Sequence, residues 1–385
     1  MKKSHDIFKI EHIDPLGQGV SKTEEDVFFV YNTLEGEEGT ADVDGQKKGV
    51  SFGHLPTTEQ LTKVSPHRVH PECPHFFSCN GCHFLHTPYQ NEISIKLNSL
   101  KRSLKLYERK TGNLTKEESI FSHQSEERFN TRNRIQLHYD LSKKRLGLIG
   151  HKKNQIIEVP ECLIGTKEIQ EEIKKLYKDE SWIKIIPKNS PKNGHIEIIA
   201  NANSEVSVVF NHPYSHGGFT QVNQKMNKVL RNLVTKHALE CFSDSDVIFD
   251  LFGGSGNLSK KIKNKPCIIY DSYGDGMLVE KDGHQEFIRQ NLYSKKAPEI
   301  IVKKLQQHTN PGVIIDPPRS GLKNITDFFP ENSNVKNIIY VSCNPATLFR
   351  DIANLKNYKI EHIHLVDLFP CTFHYETVCV LSKNK

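Results

Sequence analysis

A cysteine and a glutamate near the end of the chain have the residue types and settings needed for nucleophilic and acid–base chemistry. Cys343 stands in NIIYVSCNPATLFRD, just past a hydrophobic strand pattern and before a helical pattern from Ala346 to Ile352. A thiol near a helix N-terminus has its pKa lowered toward a reactive thiolate, which makes Cys343 a candidate nucleophile. Glu376 stands in HYETVCVL, a pattern of a buried edge strand, where a carboxylate is costly unless it is used or paired. Taken alone, an inert buried cysteine and a solvent-facing glutamate are the plain alternatives.

Three cysteines with the spacing of metal ligands, Cys73, Cys79 and Cys82, lie in ECPHFFSCNGCHFLH. The stretch from Leu61 to Leu85 is rich in His, Pro and Cys and lacks a helical or strand period, so something other than a hydrophobic core must order it. Cys162, in VPECLIG, is the best candidate for a fourth ligand. From spacing alone, structural zinc and a 4Fe–4S cluster are equally well supported. The histidines that compete for the fourth position are His70, His75, His83 and His86.

A glycine-rich turn predicts a small-ligand site. FDLFGGSGNLSKKI, residues 249–262, reads as a buried strand, a turn and the start of a helix with Asn257 near its N-terminus. Glycines let a ligand approach the backbone, and a helix start adds partial positive charge. The G-G-x-G spacing is not the dinucleotide pattern, and a strained turn without a ligand is the alternative. Asp271 ends the next strand, where Rossmann-like folds hydrogen-bond a ribose, although a simple turn residue would also fit there.

The segment GVIIDPPRSG ends a further buried strand with an acid and two prolines. The prolines stiffen the loop, so Asp316 and Arg319 can project into the cleft at the edge where ligands bind in open α/β sheets. Amine methyltransferases have a related loop that usually ends in an aromatic residue for stacking on the target. Arg319 stands in that position, which argues against amino-group methylation.

The elements that must position these residues change in character along the chain. The first sixty or so residues show short apolar alternations separated by turns, which predicts a small β-barrel. The run from Tyr89 to Tyr107 predicts an amphipathic helix, and RNRIQLHYDLSKKRLGLIG predicts a basic-edged hairpin that could follow a phosphate backbone or simply be a solvated face. Beyond about Gly217, buried strands alternate with turns and helical patterns, as in an α/β doubly wound sheet. The last two strands should close it as an antiparallel pair.

Length and composition exclude several classes of protein. A chain of 385 residues predicts two or three domains, and no apolar stretch approaches the roughly 20 residues that a bilayer span needs. The polar start MKKSHDIFKI lacks the apolar region of a secretory signal, so we expect a cytoplasmic protein. In that compartment the nine cysteines favour metal ligation, a nucleophile or burial over disulfides. A net charge of +6 suits an anionic partner such as nucleic acid, a weak signal.

Jointly, these segments resemble the RNA uracil-5-methyltransferases, especially the 23S ribosomal RNA branch with an N-terminal TRAM domain. The matching stretches are IDPLGQGV, CPHFFSCNGC with Cys162, FTQVN, DLFGGSGN, IIDPPRSG, VSCNPATLFRD and HYETV, which together span nearly the whole chain. The resemblance implies an α/β fold class with a C-terminal Rossmann-like methyltransferase domain at 216–385 that uses S-adenosylmethionine (SAM). It also implies an OB-like TRAM β-barrel at 1–60 and a central α+β iron–sulfur and RNA-binding domain at 61–215. The helix at about 86–108 is expected to pack on the catalytic domain.

The resemblance also implies roles for individual residues. It favours a 4Fe–4S cluster over zinc, and the cluster ligands would be Cys73, Cys79, Cys82 and Cys162. The residues expected around SAM are Gln221, Phe252, Asn257, Asp271, Asn291 and Asp316. The chain departs from the family in having CNGC for CGGC, DLFGG for DLFCG and Asp271 for the usual Glu, none of which removes a ligand. The glycine-rich segment between Asp271 and Asn291 lacks the usual helix, which bears on cofactor affinity.

The resulting prediction is SAM-dependent methylation of uridine C5 in RNA, 23S ribosomal RNA before others, by a monomer. Cys343 would add to C6, Glu376 would remove the C5 proton, and the target base would be flipped into the site. One alternative is transfer-RNA uridine methylation, although that branch normally lacks the TRAM and cluster segments. Another is a catalytically silent RNA-binding or ribosome assembly factor, which would be expected to lose Cys343 or Glu376. An amine methyltransferase would need no nucleophilic cysteine.

Overall fold

A computed structural model describes residues 5–24, 26–151, 155–201, 203–212, 221–272 and 284–384. The chain divides into two compact units. The first comprises Met1–Ser99, Glu126–Tyr214 and Phe369–Phe373, and the second comprises Leu100–Ser125, Ser215–Leu368 and His374–Lys385. None of the helices in the described part of the chain is long and apolar enough to cross a membrane.

The regular elements are these, in chain order. The strands are β1 His5–Lys9, β2 His12–Ile13, β3 Gly19–Lys22, β4 Val27–Tyr31, β5 Glu38–Lys47, β6 Val50–His54, β7 Leu61–Lys63, β8 Ile120–His123, β9 Arg134–Asp140, β10 Arg145–Ile149, β11 Ile156–Ile157, β12 Asn193–Ala200, β13 Val206–Phe210, β14 Ile248–Leu251, β15 Cys267–Asp271, β16 Gln285–Arg289, β17 Gly312–Ile315, β18 Asn337–Ser342, β19 Tyr358–Val366 and β20 Glu376–Lys383. The helices are α1 Tyr89–Thr111, α2 Lys167–Tyr177, α3 Ser181–Ile185, α4 Gln224–Cys241, α5 Ala297–Leu305, α6 Ile325–Phe328 and α7 Pro345–Ile352.

The first unit contains two sheets. Seven strands form the first sheet in the order β1-β5-β6-β4-β3-β2, with β7 paired to β5, over the residues for which a small β-barrel is predicted. Its strands alternate buried and partly buried residues, and the buried positions include Phe8, Ile10, Phe28 and Val30. The second sheet runs β11-β10-β9-β12-β13. The predicted basic-edged hairpin is confirmed as the antiparallel pair β9 and β10.

The second unit is built on one eight-stranded sheet in the order β16-β15-β14-β17-β18-β20-β19-β8. Strands β14 to β18 are parallel neighbours, and β14 and β17 are buried at every position, as their largely apolar sequences predict. β20 is antiparallel to both β18 and β19, which confirms the expected closing pair. Because parallel strands end at the same edge, the loops after β14, β15, β17 and β18 meet there.

The helix expected directly after the glycine-rich turn is not formed. Residues 253–264 follow β14 as turns and bends. Gly254 and Gly256 have φ angles of 55° and 76°, a left-handed conformation that interrupts a right-handed helical run. Asn257 therefore does not stand at a helix N-terminus, and that source of positive charge is missing from this loop. The predicted helices over 89–107 and after Cys343 are confirmed as α1 and α7.

Four histidines meet on one face of the second unit's sheet. They come from β8 (His123), α4 (His237) and β19 (His362 and His364). His364 lies between two of them, with its Nδ1 3.1 Å from Nε2 of His123 and its Nε2 2.9 Å from Nε2 of His237. Burial, followed by the neighbouring His237 and His123, lowers the pKa of His364 to about 3. Burial also lowers the pKa of His237 and of His123, with Lys236 close to both.

These histidines predict acid destabilisation. Unfolding raises the pKa of His364 to its ordinary value near 6.5, so the unfolded chain binds more protons as the pH falls below that value. The contribution of His364 to the free energy of unfolding is therefore complete at neutral pH and decreases as the pH falls. At pH 5 the loss for this residue is roughly 1–2 kcal/mol. Denaturant titrations at pH 7 and pH 5 should show a smaller pH-dependent loss for His364→Gln than for the natural protein. The exposed His70→Gln is the matched control, and equal losses in all three proteins would contradict the prediction.

Candidate active site

The candidate nucleophile lies in a short loop that its neighbours hold firmly. Cys343 directly follows β18, and α7 begins two residues later. The Asn344 side chain caps α7 by accepting a hydrogen bond from the Ala346 N–H at 3.1 Å. The Ser342 hydroxyl accepts one from the Asn344 N–H, also at 3.1 Å. The backbone around the thiol is thus fixed from both sides.

The protonation of this thiol differs from the sequence-based expectation. Burial, followed by the charge of the nearby Glu376 carboxyl, raises the pKa of the Cys343 thiol to about 12. The expected lowering by the start of α7 is wrong here, because desolvation and a neighbouring acid outweigh the small field of a two-turn helix. The opposing influence is Arg319, whose charge and hydrogen bond to the thiol lower the pKa. Activation of the thiol therefore depends on that guanidinium.

Strand pairing brings the candidate base opposite the nucleophile. Ser342 of β18 pairs with Thr377 of antiparallel β20, so the next position in register places Glu376 across from Cys343. The Glu376 side chain is only 5% exposed, and within the described part of the chain its Oε2 has no hydrogen-bond partner. Burial, followed by the charge of Asp316, raises its pKa well above the ordinary value, while Arg319 lowers it. This is the environment of a strong base once the carboxyl is ionised.

Asp316 is the second carboxyl of the site. It follows β17, and burial, then the charges of Asp250 and Asp271, raise its pKa to about 7. Two buried carboxyls that repel each other cannot both ionise without cost, so Asp316 and Glu376 titrate as a pair. The charge of either carboxyl therefore makes ionisation of the other less favourable.

Arg319 is held in place by residues from two other loops. Its guanidinium lies 3.3 Å from Nε2 of His374, which must be the acceptor because arginine only donates. Its carbonyl oxygen accepts hydrogen bonds from the Asn344 amide at 3.4 Å and from the Thr347 hydroxyl at 3.2 Å. The loop after β17, the nucleophile loop and the residues before β20 are thereby linked at one arginine. Sequence reasoning did not single out His374, although its place two residues before Glu376 was a visible signal.

Loss of the Arg319 charge should make the thiol harder to ionise. In Arg319→Gln we expect the apparent pKa of Cys343 to rise by about one unit or more, and alkylation near pH 8 to slow about tenfold. His374→Gln should have a smaller effect in the same direction, because the guanidinium remains but loses its acceptor. The measurement is the pH dependence of iodoacetamide labelling at the Cys343 peptide, read by mass spectrometry. Lys323→Gln, an exposed charge on the same loop, is the control, and an unchanged profile in Arg319→Gln would contradict the assignment.

The residues predicted to surround a cofactor lie at the same sheet edge, in part linked to one another. Phe252 follows β14 with a φ angle of 61°, and the Gly254 N–H donates to Asp271 Oδ2 at 2.9 Å. This hydrogen bond ties the glycine-rich turn to the end of β15. The Phe252 ring lies 5.2 Å from the ring of Tyr293, whose backbone N–H is capped by Asn291 at 2.9 Å. No signal in the sequence pointed to Tyr293.

Gln221 and Asn257 lie around the start of α4. Asn257 exchanges two side-chain hydrogen bonds with Asn227 of α4, at 3.1 and 3.0 Å. Gln221 precedes that helix and is 8% exposed, and its Oε1 has no partner among the described residues. A buried acceptor without a donor is costly, which makes Gln221 a strong candidate for contact with a ligand.

The segment between Asp271 and Asn291, predicted to lack the usual helix, is described only in part. β16 occupies 285–289, and residues 273–283 lie outside the described residues.

The first unit brings the four predicted metal-site cysteines around one small cavity. The same cavity is lined by His75 and by apolar side chains that include Leu85, Leu148, Val159 and Ile164, and its cysteines are Cys73, Cys79, Cys82 and Cys162. Burial is the main cause that raises the pKa of Cys73, Cys79 and Cys162. The pKa of Cys82 is raised first by a hydrogen bond to Cys371 and then by burial. Across the described residues, no group of three or more potential ligands is already arranged in metal-binding geometry. The four thiols therefore lie around one cavity in their protonated form, whereas a metal would bind them as thiolates.

Comparison with known proteins gives consistent matches. The family model described as tRNA (Uracil-5-)-methyltransferase matches residues 291–384, which include Cys343 and Glu376. The chain is 24% identical to a 23S rRNA (uracil(1939)-C(5))-methyltransferase of Vibrio vulnificus, over 99% of this chain and 97% of that protein. It is 28% identical to an uncharacterized RNA methyltransferase of Nitrosomonas europaea, over 98% and 96% of the two chains.

Among solved structures, the chain is similar to the Pyrococcus abyssi tRNA (uracil-54, C5)-methyltransferase in complex with S-adenosyl-L-homocysteine. The TM-score is 0.68 with 20% identity, over 97% of this chain and 99% of that one, which establishes a shared fold. A thiol and a buried carboxyl face each other where the family model matches, and over nearly its whole length this chain is similar to RNA uracil-5-methyltransferases.

Proposed function

We propose that the protein methylates C5 of a uridine in 23S ribosomal RNA, with SAM as the methyl donor. The observation that carries the proposal is the pairing of Cys343 with Glu376 across β18 and β20, beside Arg319. A thiol and a general base on opposite strands are what C5 methylation through a C6 adduct needs, and amine methylation needs neither. The ribosomal substrate is supported by full-length relatives named as 23S rRNA methyltransferases.

The chemistry follows from the poor nucleophilicity of C5 in uracil. SAM supplies an electrophilic methyl group. The Cys343 thiolate adds to C6, and the electron pair of the C5–C6 double bond passes into the carbonyl as an enolate, which makes C5 nucleophilic. Arg319, adjacent to the thiol, is placed to stabilise the negative charge at both stages.

Release of the product is assigned to Glu376. Once C5 carries the methyl group, the Glu376 carboxylate takes the C5 proton, the double bond re-forms, and the thiolate leaves from C6. The raised proton affinity of this buried carboxyl suits the step, because a weakly basic carboxylate would remove a carbon-bound proton slowly. The charge of Asp316 raises the proton affinity of Glu376. Asp316 also lies at the sheet edge where SAM is proposed to bind, and there it can orient the uracil ring.

The proposed contacts to SAM are residues at the ends of the parallel strands and around the start of α4. Gln221 offers its unpartnered Oε1, and Asp271, held by the Gly254 N–H, stands at the end of β15 for the ribose. The remaining candidates are Phe252, Asn257, Asn291 and Asp316.

In the first unit we assign Cys73, Cys79, Cys82 and Cys162 as ligands of a 4Fe–4S cluster. Four thiols around one cavity with apolar walls suit such a cluster, because its irons would take all four as thiolate ligands. Zinc would accept the same donors, and iron and sulfide analysis separates the two. Because no step of the reaction moves an electron, the cluster would have a structural role.

RNA binding is assigned to the first unit, with residues 1–60 as a TRAM-like domain, 61–215 as the central domain and 216–385 as the catalytic domain. The rings of Phe29 and Phe52 stack at 5.5 Å on neighbouring strands, and Phe52 is 40% exposed. Such a pair offers a face for an RNA base, and the exposed Lys143, Lys144 and Arg145 at the β9–β10 turn offer charges for phosphates. We assign the protein to the cytoplasm and expect it to act as a monomer.

The test is to incubate the protein and SAM with unmodified 23S rRNA and, separately, with unmodified tRNA, followed by nucleoside mass spectrometry. We expect 5-methyluridine in the ribosomal RNA alone. 5-Methyluridine in tRNA alone would contradict the proposed substrate but agree with the proposed chemistry. tRNA is the alternative tested because the chain shares its fold with a tRNA methyltransferase. A methylated amine in either RNA, without 5-methyluridine, would overturn the chemistry itself.

A further inference from the structure

A fifth cysteine of the first unit lies beside the four thiols but has no role in the proposed cluster. Cys371 belongs to the segment Phe369–Phe373, which joins β19 to β20 and is part of the first unit. Its side chain is fully buried, and it packs in the same hydrophobic cluster as Cys79 and Cys162, with Cys82 against that cluster.

The backbone clamps Cys371 to the residues that follow Cys82. The Cys371 carbonyl oxygen accepts hydrogen bonds from the His83 N–H at 2.7 Å and from the Phe84 N–H at 3.1 Å. Its own N–H donates to Glu92 Oε1 at 2.8 Å, and that carboxylate is in turn paired at 2.8 Å with Lys96, which is buried with it. The segment therefore has little freedom to move away.

The two side chains are in contact as well. The Cys82 thiol and the Cys371 thiol lie within hydrogen-bond reach of each other. The Cys371 thiol also donates to the Arg128 carbonyl oxygen at 3.4 Å. A disulfide needs α-carbons about 4.4–6.8 Å apart, and the main-chain hydrogen bonds from residues 83 and 84 keep Cys371 next to Cys82.

We propose that Cys82 and Cys371 form a reversible disulfide when oxidants remove the cluster, so that Cys82 is withheld from cluster assembly until the bond is reduced. The inference rests on the proposed 4Fe–4S cluster for its trigger. It makes the cluster site a redox-controlled site, compatible with a reducing cytoplasm in which disulfides are transient.

The chemistry balances with a hydroperoxide as the oxidant. Loss of iron leaves Cys82 as a thiolate, which attacks hydrogen peroxide to give a sulfenic acid and hydroxide. The Cys371 sulfur then displaces hydroxide from the Cys82 sulfur, which forms the S–S bond. Overall two thiols lose two protons and two electrons, and one hydrogen peroxide becomes two water molecules. While it is bound to iron, the Cys82 sulfur is not free to attack the peroxide, so the reaction is tied to cluster loss.

The experiment uses full-length protein purified without oxygen, with iron, sulfide and visible absorbance measured first. After hydrogen peroxide and a chelator, free thiols are blocked with N-ethylmaleimide and the non-reduced peptides are mapped by mass spectrometry. We expect a Cys82–Cys371 linked peptide, two hydrogens lighter than the separate peptides, in most molecules. Cys371→Ser should give none, whereas Cys241→Ser, a partly buried cysteine of the second unit, should behave like the natural protein.

Cluster rebuilding gives an independent measurement. With iron and sulfide but no added thiol, the oxidised natural protein should regain absorbance at least tenfold more slowly than Cys371→Ser, and dithiothreitol should remove the difference. A disulfide between Cys79 and Cys82, over-oxidation of Cys82 without a linked peptide, or equal rebuilding rates would overturn the proposal. If the purified protein holds neither iron nor sulfide, the proposed cluster fails, while the same peptide map still decides whether Cys82 and Cys371 pair.

Discussion

Cys343→Ala is expected to reduce methyl transfer to uridine by at least about 10³-fold and to eliminate covalent complexes with RNA. Without addition of the thiol to C6, no enolate forms and C5 stays a poor nucleophile. Among the described residues, no other side chain opposite Glu376 can replace the Cys343 thiol. The sharpest measurement uses 5-fluorouracil-substituted 23S rRNA with labelled SAM. Fluorine cannot leave as a proton does, so the natural protein should be trapped as a denaturation-resistant, labelled complex.

The control for this experiment is Cys241→Ser, which removes a partly buried thiol of the second unit away from the sheet edge. It should be trapped as efficiently as the natural protein. SAM binding should survive in Cys343→Ala, because the proposed cofactor residues lie on other loops. A trapped complex in Cys343→Ala would show that another nucleophile acts, and the covalent role assigned to Cys343 would be wrong.

The strands of the catalytic sheet were predictable because burial on both faces leaves a strong mark on sequence. β14 and β17 are buried at every residue, and their letters, IFDL and GVII, are almost wholly apolar. The loops at their ends then had to lie at one edge, and this is how Asp271, Asp316 and Cys343 could be grouped without coordinates.

The glycine-rich loop shows where such reasoning fails. Residues 253–264 have the apolar spacing of a helix start, but Gly254 and Gly256 adopt positive φ angles that no periodicity reveals. Backbone conformation at glycine depends on what it must approach: a Cβ on Gly253 would lie 2.6 Å from the Asp250 carboxyl carbon. The packing that sets the loop comes from residues outside it.

The chemical state of the site was also beyond the sequence. The start of α7 argued for an acidic thiol, whereas burial and Glu376 raise the pKa of Cys343. The influence of Glu376 comes from the antiparallel register of β18 and β20, which places the carboxyl opposite the thiol. His374 and Tyr293 were missed for a related reason, since each acts through a contact with a loop remote in sequence.

Glu376→Gln is expected to lower turnover by about 10²–10⁴-fold while it leaves nucleophilic addition and methyl transfer possible. The amide has nearly the same shape and cannot accept the C5 proton, so the methylated adduct on Cys343 has no route to elimination. Ordinary RNA, without fluorine, should then accumulate as a covalent complex that carries one labelled methyl group. The measurement is gel mobility and intact mass of the complex after denaturation.

Two variants make this result decisive. Cys343→Ala combined with Glu376→Gln should give no complex, and Glu361→Gln, a partly exposed glutamate on neighbouring β19, should turn over normally. Folding should be preserved in Glu376→Gln, because burial disfavours the charged form of this carboxyl and a neutral amide of nearly the same shape replaces it at little cost. Loss of turnover without a complex would mean that Glu376 acts before the methyl group moves, as a partner of the thiol and not as the base at C5. Accumulation of the methylated complex would place the glutamate at the last proton transfer, since that is the single step at which an adduct can stall with its methyl group already attached.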